Sequence, residues 1–162
     1  MAPSDDFEIA KAEAMSGNLG WQLDEQVLKA FFVEEEYDGG SFYCDYRSFK
    51  EFVRLYARSM ARSGKPAQLM VISHTGAPDA PIGALQTDMR RMKKTLVTSL
   101  RTGDPFTRLS TSQFMVLLPE ASRQNAENIM LRIIADFERN YPRSKAEFRH
   151  SVFELEPAGF VR

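Results

Sequence analysis

Cysteine occurs once in this chain, at Cys44, and histidine twice, at His74 and His150. A single thiol excludes an internal disulfide framework, and two imidazoles far apart in sequence leave no zinc-ligand spacing. Long hydrophobic runs are missing as well. No stretch approaches the roughly 20 apolar residues that span a bilayer, and the opening Met-Ala-Pro-Ser-Asp-Asp has no basic-then-apolar leader pattern. These absences predict a protein of the reducing cytoplasm with no membrane partner. What is present argues for a packed domain: 43% of the 162 residues are apolar, with 12 Phe, 5 Tyr and 1 Trp, a composition outside the disordered range.

The net charge of −1 conceals an asymmetry. Residues 1–40 carry ten acids and two bases (Lys11 and Lys29), while the remainder carries 12 acids and 19 bases. An acidic arm or linker, 1–40, is therefore expected to precede a basic domain, 41–162. Complementary charge predicts that the arm docks on basic surface. Direct nucleic-acid contact is not expected, because aromatic residues are not interleaved with the bases in a stacking pattern.

Periodicity supplies the elements. In the arm, Phe7–Met15 reads as a short helix, and Leu23, Val27, Ala30 and Phe31 mark one face of a second. Glu34, Glu35 and Glu36 follow at its C-terminal end, where the helix dipole disfavours acids, so they are expected to answer bases elsewhere. Beyond Asp38-Gly39-Gly40, the apolar stripe Phe49, Phe52, Val53, Tyr56, Met60 predicts a helix. Lys50, Arg54, Arg58 and Arg62, four apart, form its basic stripe, and Ser63-Gly64-Lys65-Pro66 stops it. Ala67–Ser73 reads as a buried strand and 74–83 as a loop. Leu85, Met89, Met92, Leu96 and Leu100 mark another helix, with Gly103 as its expected left-handed cap. Met89 and Met92 read as core filler.

The stretch from Arg101 to Pro119 carries the most information. It reads as a helix end, a tight turn, the strand Phe106–Leu109, a polar hairpin, and the buried strand Gln113–Leu118 closed by Pro119. Ser122 is the expected cap of a last helix, whose face is Ala126, Ile129, Met130, Ile133 and Phe137. Asn140-Tyr141-Pro142 ends it, and Phe148–Leu155 is the final strand. Helices mixed with a hairpin favour an α+β sandwich over a doubly wound parallel sheet.

With these residues in this order, the chain resembles the GGDEF domain, the diguanylate cyclase module of bacterial signalling, over roughly residues 40–156. Asp45-Tyr46-Arg47-Ser48-Phe49 is similar to the family's Asn-Arg-Arg-x-Phe. The run from Ser63 to Ile72 is similar to its turn into the first strand. Arg101-Thr102-Gly103-Asp104 with Arg108 is similar to its approach to the signature, and Gln113-Phe114-Met115-Val116-Leu117-Leu118-Pro119 to its Glu-Phe-x-x-Leu-Leu-Pro strand. Gly40-Ser41-Phe42-Tyr43-Cys44-Asp45-Tyr46 and Ser110-Thr111-Ser112-Gln113-Phe114 resemble still more a divergent branch at the C-terminus of bacterial multidomain transcriptional regulators. The resemblance implies a nucleotidyl-cyclase-like, ferredoxin-type sandwich with a mostly antiparallel sheet. It implies as partners another protein or an upstream DNA-binding module of the same polypeptide, with a homodimer as one arrangement.

The family's chemistry joins two GTP molecules with divalent metal held by carboxylates, because Mg²⁺ wants hard anionic oxygen. One family carboxylate follows the first strand, near Ser73 here, and the other is the third signature residue, here Ser112. The two signature glycines are Ser110 and Thr111, whose side chains stand where backbone meets nucleotide. Asp79 is alone in its loop, and Asp88 has no second ligand at metal spacing. No catalytic residue, metal or cofactor is therefore expected, and the degenerate positions are Ser110, Thr111, Ser112, Gln113 and Phe114. The hydroxyls have no histidine close in sequence, so a serine nucleophile is not expected either. One family element persists: Arg101 and Asp104 spell the Arg-x-x-Asp of an inhibitory cyclic di-GMP site at its usual spacing from the signature. Arginine grips phosphate or guanine in a forked manner. The same residues also serve as a plain helix stop and turn.

Overall fold

The computed structural model describes residues 25–33, 39–76, 80–81 and 83–158. By contacts the chain divides into two compact units, 1–38 and 39–162. In the first, α1 (Glu25–Phe32) is an eight-residue helix with an i, i+4 ion pair between Glu25 and Lys29 at 2.7 Å. The expected helix at Phe7–Met15 and the acids Glu34, Glu35 and Glu36 lie outside the described residues.

The second unit runs β1 (Tyr43–Cys44), α2 (Tyr46–Ser63), β2 (Ala67–His74), α3 (Ala84–Ser99), β3 (Phe106–Ser110), β4 (Gln113–Pro119), α4 (Arg123–Asn140) and β5 (Phe148–Glu154). The five strands lie in the order β1-β3-β4-β2-β5. Among the described residues only the short β1–β3 pair is parallel; β3–β4, β4–β2 and β2–β5 are antiparallel. This is the expected α+β sandwich with a mostly antiparallel sheet. Strand alternation divides β4 between two cores. Phe114, Val116 and Leu118 face Met89, Met92 and Leu96 of α3 and Met130, Ile133 and Phe137 of α4. Leu117 faces Phe49 and Met60 of α2 on the opposite side.

The helix ends follow local chemistry. Asp45 caps α2 by accepting the Ser48 N–H at 2.9 Å, and Gly64 ends it in the left-handed region at φ 68°, its N–H on the Met60 carbonyl. That conformation favours glycine. Ser122 caps α4 by accepting from the Asn125 N–H at 3.1 Å. The expectation for α3 is corrected: Leu100, in extended geometry at φ −82°, ends the helix, not Gly103. Leu100 is drawn into the core, and Arg132 donates to the Ser99 carbonyl at 2.7 Å. With a terminal carbonyl met from α4, no left-handed residue is required, and Gly103 instead occupies a turn further on. The parallel strand β1 was not expected; two residues are too short to show a periodicity.

Candidate functional site

The β3–β4 hairpin is built around one irregularity. Arg108 pairs with Phe114 and Ser110 with Gln113, so Leu109 is an extra residue in β3. Such a bulge sharpens the local twist and re-aims neighbouring side chains. Arg108 turns back over the tip, where Nε donates to the Ser110 carbonyl at 2.7 Å and an η nitrogen to the Thr111 carbonyl at 2.6 Å. Its guanidinium also lies 5.4 Å from the centre of the Phe114 ring. Phe114 is fully buried beneath it.

Behind the tip, the polar side chains bond to one another. The Gln113 carboxamide donates from Nε2 to Ser73 Oγ at 3.1 Å, and its Oε1 accepts from Ser110 Oγ at 3.1 Å. Ser110 Oγ also accepts from the Ser112 N–H at 3.3 Å. The Ser112 carbonyl accepts from the His74 N–H at 2.8 Å, which ties the turn to the end of β2. Ser73, Ser110, Ser112 and Gln113 are thus brought together as a chain of neutral groups. Among the described residues no group of three or more His, Cys, Asp or Glu is arranged to hold a metal ion. Asp79 lies outside the described residues.

Arg101 and Asp104 are also brought together. The Asp104 N–H donates to the Arg101 carbonyl at 3.0 Å, closing a tight turn. The Asp104 carboxylate accepts from the Arg101 N–H at 3.0 Å and from its Nε at 3.3 Å. An η nitrogen of Arg101 reaches the Pro119 carbonyl at 3.1 Å. The two partners differ in access: the Asp104 side chain is 2% exposed and that of Arg101 58%. The acid is a buried turn clamp, while the guanidinium presents one face outward.

Neither imidazole serves the hairpin hydroxyls. His74 bonds Asp88 through Nε2 at 2.8 Å and packs edge-on to Phe148 at 5.3 Å. His150 bonds Glu127 of α4 through Nε2 at 2.6 Å. The Arg108 clamp, the Ser73–Gln113 link and the His74–Asp88 pair were not expected from the sequence. All three are contacts between residues distant in sequence or displaced by the bulge, and neither spacing nor composition signals them.

No family model matches the chain, and no curated protein matches it. Solved structures do. A DGC protein from Thermotoga maritima superposes with a TM-score of 0.53 at 16% identity, covering 74% of this chain and 85% of that one. The GGDEF domain of PA1120 (YfiN or TpbB) from Pseudomonas aeruginosa gives 0.55 at 19% identity, covering 71% and 81%. Diguanylate cyclase SiaD, in complex with its activator SiaC from Pseudomonas aeruginosa, gives 0.54 at 19% identity, covering 72% and 48%. The sheet order, the hairpin and these superpositions together establish that the chain carries a domain with the GGDEF, nucleotidyl-cyclase-like fold.

Proposed function

We propose that this is a non-catalytic GGDEF-like domain that regulates or docks other proteins, as part of a bacterial transcriptional or signalling regulator in the cytoplasm. In this reading residues 1–40 serve as an acidic arm or linker and 41–162 as the folded domain. The observation that carries it is the neutral chain Ser73–Gln113–Ser110. The two positions that the resemblance assigns to metal carboxylates are Ser73 and Ser112, where a divalent metal would need anionic oxygen; both are neutral hydroxyls, and Ser73 Oγ is already bonded to Gln113. The residues do not fit the metal. The Ser110 and Thr111 side chains, where the family has glycines, stand in the approach to a nucleotide. Support for a protein partner comes from SiaD, a neighbour of the same fold in complex with its activator SiaC, and from the regulator-like Gly40–Phe49 motif. Among the described residues no helix is long and apolar enough to cross a membrane.

Calorimetry tests this reading. Titrating the chain with a non-hydrolysable GTP analogue and Mg²⁺ gives no saturable heat at high micromolar ligand; saturable binding counts against it. A second reading, a cyclic di-GMP sensor, draws on the exposed outer face of the Arg101 guanidinium, beside Asp104. Against it stands the Asp104 carboxylate, which is buried and already bonded to the Arg101 backbone. Heat with cyclic di-GMP that disappears in Arg101→Ala would favour the sensor, and no heat removes it.

A further inference from the structure

The outward face of α2 carries exposed apolar and basic side chains that take no part in the hairpin. Leu55, which lies off the helix's inward apolar stripe, is 66% exposed. Phe52, one turn earlier, is also exposed, and its ring meets that of exposed Phe42 edge-on at 5.7 Å. Single exposed apolar residues are ordinary; here three adjoin on one surface. Further along the helix, Leu55, Arg58, Ser59, Arg62 and Ser63 line a shallow groove of about 550 Å³. These positions run i, i+3, i+4, i+7, i+8, which is one helix face. Small Ser59 and Ser63 alternate along it with the longer Leu55, Arg58 and Arg62, the kind of relief into which a second helix sets its ridge of side chains. One flank is already closed, since the Ala158 N–H donates to the Ala57 carbonyl at 2.9 Å.

Charge selects the occupant. Arg58 and Arg62 line the groove itself, and Lys50 and Arg54 continue the same four-residue spacing toward the start of the helix. Arg54 pairs with Glu51 at 2.9 Å, whereas Lys50, Arg58 and Arg62 have no ion pair among the described residues. Two copies of the same basic face would repel, so α2 pairing with α2 is disfavoured. Leucine and phenylalanine in the middle of the surface give a nucleic-acid backbone nothing to bond, and favour a partner with apolar side chains of its own. We infer that this face of α2 docks an acidic amphipathic helix of a partner protein, whose apolar ridge covers Phe52 and Leu55 while its carboxylates meet Arg58 and Arg62. The inference rests on the reading of the domain as a docking module and names the surface and the partner's chemistry.

The test uses the full chain and a fluorescent synthetic peptide of about 15 residues, long enough to form a helix on binding, with leucines on one face and glutamates beside them. Anisotropy is expected to show saturable binding at low salt, weakened about tenfold or more by Leu55→Glu and by Arg58→Glu with Arg62→Glu, a loss of at least ~1.4 kcal/mol. Circular dichroism of the variants confirms that α2 remains folded, which its outward positions predict. Equal binding of a sequence-scrambled peptide of the same composition would overturn the inference, because charge alone would then explain it. Tighter binding of single-stranded DNA, or no binding of the acidic peptide, would overturn it too. The assay contains no nucleotide, so its failure is distinct from a finding of GTP binding or turnover.

Discussion

Arg108 and Gln113 close the hairpin from opposite sides, one holding backbone carbonyls and the other joining hydroxyls. Arg108→Ala removes two charge-assisted bonds to the Ser110 and Thr111 carbonyls. Because the site is half open to water, the expected loss is about 1 kcal/mol in a urea titration. Arg108→Lys should not restore it, since a point-like ammonium cannot span both acceptors. Cys44 makes a second residue-scale prediction. Burial, followed by the neighbouring Asp45 charge, pushes its thiol up to about 11. Alkylation near about pH 8 should be slow in the native chain and fast in denaturant, where the thiol returns to its ordinary range; rapid native labelling would contradict the burial. At this scale the sequence placed Gln113 and Phe114 at the start of a buried strand, and Phe114 is fully buried there. Arg108's clamp stayed hidden, because the extra residue at Leu109 redirects it and a bulge leaves no periodic trace.

Among the helix ends, the Ser122 cap and the stop at Ser63–Pro66 were legible, because an N-cap is a local matter of one side chain and the N–H three residues on. Ser122→Ala removes the bond to the Asn125 N–H and is expected to cost about 1 kcal/mol, read as a lowered denaturation midpoint. Asp45 carries a pH dependence. The Ser48 N–H, then the Ser48 hydroxyl, hold its carboxyl below the usual range. A depressed folded value means that its stabilisation is complete above the unfolded value and lost as pH falls through the folded one. Melting temperatures taken from neutral into acid should therefore fall less steeply in Asp45→Asn than in the parent chain; identical slopes would refute the assignment. Elsewhere tertiary contacts overrode local signals. Gly103 looked like a cap, but Leu100 entering the core and Arg132 meeting the Ser99 carbonyl ended α3 first. β1 depends on its pairing with β3, Tyr43 opposite Phe106, and nothing within its two residues announces it.

For the whole molecule, a spine of alternating residues unites the sheet with helices on both faces. Phe114, fully buried and meeting Phe106 at 6.1 Å, belongs to the larger core. Phe114→Ala should cost about 3–5 kcal/mol, enough to leave a domain of this size marginal, as loss of a cooperative thermal transition would show. The fold was readable because its order of stripes, turns and one hairpin is collinear with the sequence. The site was readable only as a set of replacements: sequence showed hydroxyls at Ser73 and Ser112 where the resemblance implies carboxylates and at Ser110 where it implies glycine, but not that Ser73, Gln113 and Ser110 bond to each other. That network makes the hairpin a structural closure in this account. The most direct measurement is turnover: the full chain incubated with GTP and either Mg²⁺ or Mn²⁺, with cyclic di-GMP followed by chromatography. No product above a protein-free control is expected from a non-catalytic domain, and protein-dependent accumulation of cyclic di-GMP would refute that role.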